Sequence, residues 1–528
     1  GEKKTQENDA MDWCIRARKL ALKSIEARGL TAKVKSMVAD KKMKKKKKKK
    51  KMKKHSDFDE LTSIDDLEVF SAEEEESDSE SSDGDKAIRG LRNTVSTFAD
   101  GVFDERSKRS KEVFLQRLSQ FSSGPSDRKK EFNLNNSIVE AQTADQVLEA
   151  VSETVVAVAK GLSPSPLSPL NIATALHRIA KNMEKVSMMR EHRLSFSRKR
   201  EMSMLVSMAM VALPDCSPQG VSNIAWALSK IGGELLYLSE MERVAEVSLA
   251  KVSEFNPQNV ANLAGAFASM QHSAPHLFSE LSIRASNIIR SFQPQEIAQV
   301  LWAFASLYQP AEALFESLDG LLDDPDDGDV ETLFAFSRDQ MGNICWSYAV
   351  LGQLDRPFFA HIWKKLHRIE EQIPDPRRAD VMFASQIHHV NVCLKLEYPH
   401  LLRLRMPERL ENGVASARKT RKFSRKVTSS FQKEVLRLLV STGLDWAKEY
   451  DMEEEGYTLD AALVDRKVAL EIDGPTHFSR NSGAPLGHTM VKRRCIGAAG
   501  WKLVCVEHRK WEEVEGEAQQ MQYLRDLL

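Results

Sequence analysis

One short pattern recurs through the middle of this chain, and recurrence at such a spacing leaves few folds open. Ser217-Pro218-Gln219-Gly220-Val221-Ser222-Asn223-Ile224-Ala225-Trp226-Ala227-Leu228 lines up with Asn256-Pro257-Gln258-Asn259-Val260-Ala261-Asn262-Leu263-Ala264-Gly265-Ala266-Phe267. A third copy is Gln293-Pro294-Gln295-Glu296-Ile297-Ala298-Gln299-Val300-Leu301-Trp302-Ala303-Phe304. Ser337 to Tyr348 is a fourth without the proline, and Ser168 to Ile179 a weaker fifth. Copies follow one another at about 37 to 44 residues, more widely before the first strong one. That period marks a helical solenoid, in which each unit buries its apolar face only against its neighbours.

The residues of one unit agree. Proline in the first helical turn lacks an amide that would be unpaired there anyway, so Pro218, Pro257 and Pro294 mark helix starts. Val221, Ile224, Ala225 and Leu228 then recur at i, i+3, i+4 and i+7 as one apolar stripe, and Val260, Leu263, Ala264 and Phe267 repeat it. Small residues at Ala227, Ala266, Ala303 and Ser347 let neighbouring helices approach. A second helix follows in each unit, as over Leu235 to Ser253 or Ala274 to Ser291.

The C-terminal block has a different grammar. Phe431 to Leu439 has helical apolar spacing, and Glu449-Tyr450 and Gly456 to Leu463 read as strands with Asp460 at mid-strand. Val468 to Asp473 is an apolar strand that ends with Glu471 and Asp473 two apart, hence on one face, followed by Gly474-Pro475-Thr476-His477-Phe478. Like charges on a buried strand are costly unless compensated. A helix carrying Lys492-Arg493-Arg494, a stop at Gly500, a strand from Trp501 to Val506 and a closing helix complete the order.

About the last hundred residues resemble the RAP domain, named for RNA-binding proteins abundant in apicomplexans. The marks are Leu459-Asp460, Glu471 to Phe478, Lys492-Arg493-Arg494, Gly500-Trp501, Trp511 and Tyr523-Leu524. RAP domains in turn look like a compact restriction-endonuclease fold, in which a helix glutamate, a strand aspartate and an acid-x-lysine pair hold a divalent metal that activates water. Matched residue by residue, Glu434 stands at the helix acid, Asp460 at the first strand acid and Glu471 at the second. The lysine position holds Asp473, a departure for which Lys492 or His477 is the available substitute. The resemblance thus implies Asp460, Glu471 and Asp473 as ligands for Mg2+ or Mn2+ if the domain is a nuclease, and no cofactor otherwise. The enzyme reading, a metal-dependent endoribonuclease, stands second to a nuclease-like fold that holds RNA.

The repeats resemble the octotricopeptide and heptatricopeptide units that precede RAP domains in organellar proteins, and the helical region of FAST kinase-like mitochondrial proteins. What this implies is single-stranded RNA along the concave face, with fixed repeat positions touching successive bases. Two slots are candidates. Gly220, Asn259, Glu296 and Gln340 vary among hydrogen-bonding types, as a base reader should. Asn223, Asn262, Gln299 and Asn343 are always amides, which fits a ladder between repeats better than a reader of different bases. Trp226, Trp302 and Trp346 are read as core before stacking platforms. His361, His388 and His389 are read as structural.

Between the two modules lies a basic run, Arg403, Arg405, Arg409, Arg418, Lys419, Arg421, Lys422, Arg425 and Lys426, for which a solvated face and phosphate contact are both open. Its binding would weaken steeply with salt. Since 76 basic and 76 acidic residues cancel, no global field draws nucleic acid, and any such binding is local. Lys41 to Lys54 is almost wholly lysine and residues 57 to 85 are acidic, a composition that favours a disordered tail, with a basic helix over Ile15 to Ile25 before it. Six scattered cysteines without a C-x-x-C pair point to a reducing compartment and away from zinc. No apolar run approaches the ~20 residues of a membrane span. The first residue, Gly1, suggests a processed or truncated product.

These observations together predict a charged tail over 1–130, an α-helical solenoid over 131–410, a basic connector over 411–427 and a small α/β RAP domain over 428–528 that caps the far end of the solenoid. The expected partners are single-stranded or ribosomal RNA, with no DNA, in a mitochondrion or chloroplast. RNA processing, transcript stability and ribosome assembly are the expected roles. A structural subunit of an organellar ribosome or other ribonucleoprotein is the remaining alternative.

Overall fold

The computed structural model describes residues 128–159, 167–322, 334–371, 381–421, 429–452 and 456–528. The lysine tract, the acidic block and the helix expected over Ile15 to Ile25 lie outside these residues, as do Lys422, Arg425 and Lys426.

The chain enters through α1 (Arg128–Glu140) and α2 (Ala144–Ala159), and the repeats begin at α3 (Pro169–Lys185). After α4 (Arg190–Ser197) and α5 (Arg200–Ala212) come the pairs α6 (Pro218–Gly232) and α7 (Leu238–Lys251), α8 (Pro257–Ser269) and α9 (Pro275–Asn287), and α10 (Pro294–Ser306) and α11 (Glu312–Gly320). The last pair is α12 (Arg338–Val350) and α13 (Pro357–Glu371), followed by α14 (Val381–Leu396) and α15 (Glu408–Arg421). The wide spacing before Ser217 is explained by α4 and α5, which together do the work of one second helix.

The first helices, α3, α6, α8, α10, α12 and α14, stack directly on one another, while the second helices form a looser outer row. Small residues make this possible. A methyl on Gly265 would lie 2.5 Å from Gln299 Nε2 of the next helix, so glycine there sets the spacing between α8 and α10. Phe267, Phe278, Phe304 and Phe315 are fully buried between the rows. Each contributes about 1.5–3 kcal/mol. The helix starts are fixed by the predicted residues: Ser168, Ser217, Asn256 and Ser337 each accept a bond on the side chain from the backbone amide three residues on.

The expected connector is partly structured. Leu404, Met406, Leu410 and Val414 join the solenoid core, and Trp363 Nε1 donates to the Leu404 carbonyl at 2.8 Å. The solenoid therefore continues past 410, with Arg403, Arg405 and Arg409 exposed on its rim. Arg418, Lys419 and Arg421 lie on α15.

The C-terminal domain runs α16 (Ser430–Val440), β1 (Ala447–Met452), β2 (Tyr457–Leu463), β3 (Val468–Asp473), α17 (Gly487–Ala498), β4 (Lys502–Glu507), α18 (His508–Glu512) and α19 (Glu517–Leu527). Its sheet has the order β1-β2-β3-β4, antiparallel except that α17 carries the chain over to place β4 parallel to β3. This is the helix-strands-helix-strand order expected. Val468, Leu470 and Ile472 pack with α16 and α19 in a core of their own. Ala469, Tyr457, Leu459, Val491, Cys495 and Ile496 instead join the core of the solenoid.

That shared core corrects the expectation of a terminal cap. The domain lies along the C-terminal ends of α8, α10, α12 and α14. Asn481 bonds the backbone of Ser273 through both its oxygen and its nitrogen, at 2.8 Å each, and Arg480 pairs with Glu234 just after α6. Gly487 sits so close to the Ala305 carbonyl that no side chain fits. Arg494 donates to the Ala349 carbonyl at 2.8 Å, to Val350, and to Glu397 at 2.8 and 2.9 Å. His389 stacks on Tyr457 at 5.5 Å between ring centres.

Candidate functional site

Two places hold the residues singled out by the sequence: the exposed stripe of the first-helix row and the acidic end of β3. On the stripe, a shift of one position changes the assignment. Gly220, Asn259, Glu296 and Gln340 are the third helical residues of their units, and the side chains of the last three point back to the caps. Asn259 Oδ1 accepts from the Asn256 amide at 3.3 Å, Glu296 Oε2 from Gln293 at 2.8 Å, and Gln340 Oε1 from Ser337 at 2.8 Å. These are capping boxes, which satisfy amides that the helix itself leaves unpaired. Asn259 also donates to Gln219 Oε1 at 2.9 Å and Ser222 Oγ at 3.2 Å of the preceding unit, and it is 2% exposed. Asn259, Glu296 and Gln340 of the varying slot thus cap their helices, Asn259 and Gln340 buried and Glu296 partly exposed, while Gly220 offers only its backbone amide.

The preceding residue reaches the surface in every unit: Gln219, Gln258 and Gln295 are partly exposed and Asp339 is exposed. This slot was not among the candidates read from the sequence. One turn further, the always-amide slot links units. Gln299 Nε2 donates to the Ala261 carbonyl at 3.1 Å and Gln386 Nε2 to Asn343 Oδ1 at 2.8 Å, both across units, whereas Asn223 Oδ1 accepts from Gln219 of its own helix at 2.8 Å. Asn262 is buried at the same level. The next slot holds rings. Trp226 and Trp346 are partly exposed while Trp302 is buried, and Trp226 lies 5.0 Å from the His177 ring with Lys230 Nζ 5.6 Å above it. Burial, reinforced by Lys181 and Arg178, holds His177 down to about 4, so at neutral pH it is an uncharged ring.

At the end of β3 the acids are separated. Asp460 accepts from Gln432 Nε2 at 2.6 Å and from the Ile472 amide at 2.7 Å, standing in for a backbone carbonyl where the β2-β3 ladder ends after Ala461 and Leu470. Burial raises its carboxyl. Glu471 is 3% exposed; its Oε2 accepts from Lys492 Nζ at 2.5 Å, while its Oε1 has no hydrogen-bond partner. Burial pushes this carboxyl up to about 7 against the opposing pull of Lys492. Asp473 is held by Arg493 at 2.6 Å and lies 3.4 Å from His477 Nδ1, which is also 3.2 Å from Thr489 Oγ1. Successive residues of α17 thus serve different neighbours: Lys492 reaches Glu471, Arg493 reaches Asp473, and Arg494 reaches the solenoid.

Glu434 belongs elsewhere. It accepts from Trp511 Nε1 at 3.4 Å and Gln520 Nε2 at 3.3 Å, beside α19. Residues two apart on a helix do not share a face, and it is Gln432 that reaches Asp460. Among the described residues no three His, Cys, Asp or Glu side chains are placed to hold a metal ion. The arrangement does not fit the divalent-metal centre implied by the nuclease resemblance: two of its three acids are already neutralised by cations of α17, and the helix acid faces another core. The acidic end of β3 is an internal set of ion pairs that fastens α17 to the sheet.

Residues 470–527 match the family model of the RAP domain. The chain is 53% identical to a RAP domain-containing protein, chloroplastic, of Oryza sativa subsp. japonica, across 98% of this chain and 85% of that protein.

Proposed function

Because the chain belongs to the family of RAP domain-containing proteins, we propose that it is an RNA-binding protein of the chloroplast that holds single-stranded RNA along its first-helix row and acts in the processing, stability or ribosomal assembly of that RNA. The observation that carries this reading is the repeated stripe itself: over α6 to α12 the amide slot recurs in every unit, a partly exposed glutamine precedes it in α6, α8 and α10, and a tryptophan follows it in α6, α10 and α12, partly exposed in the first and last. Amides offer donors and acceptors to base edges, and rings offer stacking surfaces of the kind that helical-repeat readers use. The exposed Arg403, Arg405 and Arg409 add positive charge near the end of the row.

Fluorescence anisotropy of the full chain with labelled single-stranded RNA at about 50 mM salt tests the reading. Binding is expected, and Trp226→Ala should weaken it about tenfold, since stacking of a base on an aromatic side chain is worth ~1–3 kcal/mol. Absence of binding by the unaltered protein, or an unchanged affinity in the variant, removes the support. Crosslinking and sequencing of the bound RNA in cells separates the roles, because footprints confined to ribosomal RNA favour assembly.

A further inference from the structure

Two thiols from distant parts of the chain meet where the C-terminal domain rests on the solenoid. Cys393 of α14 and Cys495 of α17 are separated by 102 positions in sequence, yet their sulfurs are 3.5 Å apart. Both are fully buried. All five described cysteines are free thiols, and this pair bridges the two modules. Arg494 stands beside the pair and Glu397 lies one turn beyond Cys393, so the thiols sit within the polar part of the contact. The bond from Cys393 lowers the Cys495 thiol below its ordinary value, with burial opposing. Two thiols with their sulfurs in van der Waals reach are placed to join as a disulfide with little displacement.

We propose that Cys393 and Cys495 form an oxidisable dithiol whose disulfide locks the RAP domain onto the solenoid. With hydrogen peroxide as oxidant, one thiolate attacks a peroxide oxygen, the O–O bond breaks, and a sulfenic acid and, after proton uptake, water are formed. The second thiol then displaces the sulfenic hydroxyl as water. Two thiols and one peroxide become one disulfide and two waters, and a dithiol reductant reverses the change. The oxidant enters when the contact opens, so oxidation captures a transient opening and then prevents its recurrence. In the reduced protein the domain is held on the solenoid by noncovalent contacts, including the bond from the Arg480 amide to the Gln271 carbonyl; in the oxidised protein a covalent bond is added.

The full chain, treated with peroxide and then alkylated in denaturant, tests this by tryptic mass mapping and thermal unfolding. A crosslinked Cys393–Cys495 peptide is expected, with two of the six thiols lost to alkylation. Tm should rise by about 5 °C or more on oxidation and return with a dithiol reductant. Cys393→Ser should abolish both effects, and Cys495→Ala provides the same readout if the first variant does not fold. Oxidation confined to the more exposed Cys505, a linkage of Cys495 to any other cysteine, or a Cys393–Cys495 disulfide without a change in Tm would overturn the proposal.

Discussion

Replacing Glu471 with glutamine should make the protein less sensitive to rising pH between acid and neutral conditions, and the size of the effect follows from burial. The carboxyl is displaced from 4.5 to about 7. At 1.36 kcal/mol per unit this is a differential of about 3 kcal/mol between the protonated and ionised forms in the native state. A raised carboxyl means that the folded chain binds the proton more tightly than the unfolded chain, so stability is greatest in acid and falls as pH rises through the interval from 4.5 to 7. His177, His272 and His367, all lowered to about 4 by burial, act in the opposite sense below 6.5 and would mask this in the wild type alone. They are common to both proteins and cancel in the difference. Urea unfolding followed by tryptophan fluorescence, at intervals from about pH 5 to 8, should show the wild-type stability falling by about 2.5 kcal/mol relative to Glu471→Gln. The amide oxygen can accept from Lys492 in place of Oε2, so the variant should fold. A flat difference curve, or a variant at least ~1 kcal/mol less stable than wild type at pH 8, would show that the Lys492 pair outweighs desolvation and would refute the argument.

Two further substitutions separate structural from recognition roles. Asn259→Ala removes a capping partner and the bonds to Gln219 and Ser222, and should cost about 1–2 kcal/mol in thermal unfolding while leaving RNA affinity of the folded fraction unchanged. Gln258→Ala, one residue earlier and partly exposed, should do the reverse; equal behaviour of the two would discard the assignment of slots. Gly487→Ala drives a methyl group into the Ala305 carbonyl, a backbone atom that cannot turn aside, and should cost about 1–3 kcal/mol and speed proteolysis between the modules. An unchanged Tm would mean that the contact is looser than described.

The solenoid was legible because its signals are local: proline in the first turn, a cap before it and an apolar stripe after it lie within a dozen residues. The strand order of the last hundred residues was legible for the same reason. The always-amide slot was legible as a ladder, but the varying slot was read as base-facing because one helical residue is a rotation of about 100°, and side chains that cap are chemically the same as those that read bases. Glu434 was placed with Asp460 by analogy of position, whereas Gln432, two residues earlier, faces it. Nothing local announces the contact between the modules. Arg494 and Glu397 are 97 positions apart, and Arg480 and Glu234 are 246 apart. Lys492-Arg493-Arg494 reads in isolation as a surface cluster, and only the fold shows each of the three turned toward a different carboxylate.

The contact along the helix ends also limits how such a chain can grow. A stack of similar units ordinarily tolerates gain or loss of one member, because each touches only its neighbours. Here one rigid block meets Glu234, Ser273, Ala305, Val350 and Glu397 in succession. Adding or deleting a unit between Ser217 and Leu396 would displace every later foothold by a full step. The block thus acts as a gauge that fixes the unit number in this segment, and length is free to vary only on the amino-terminal side of it.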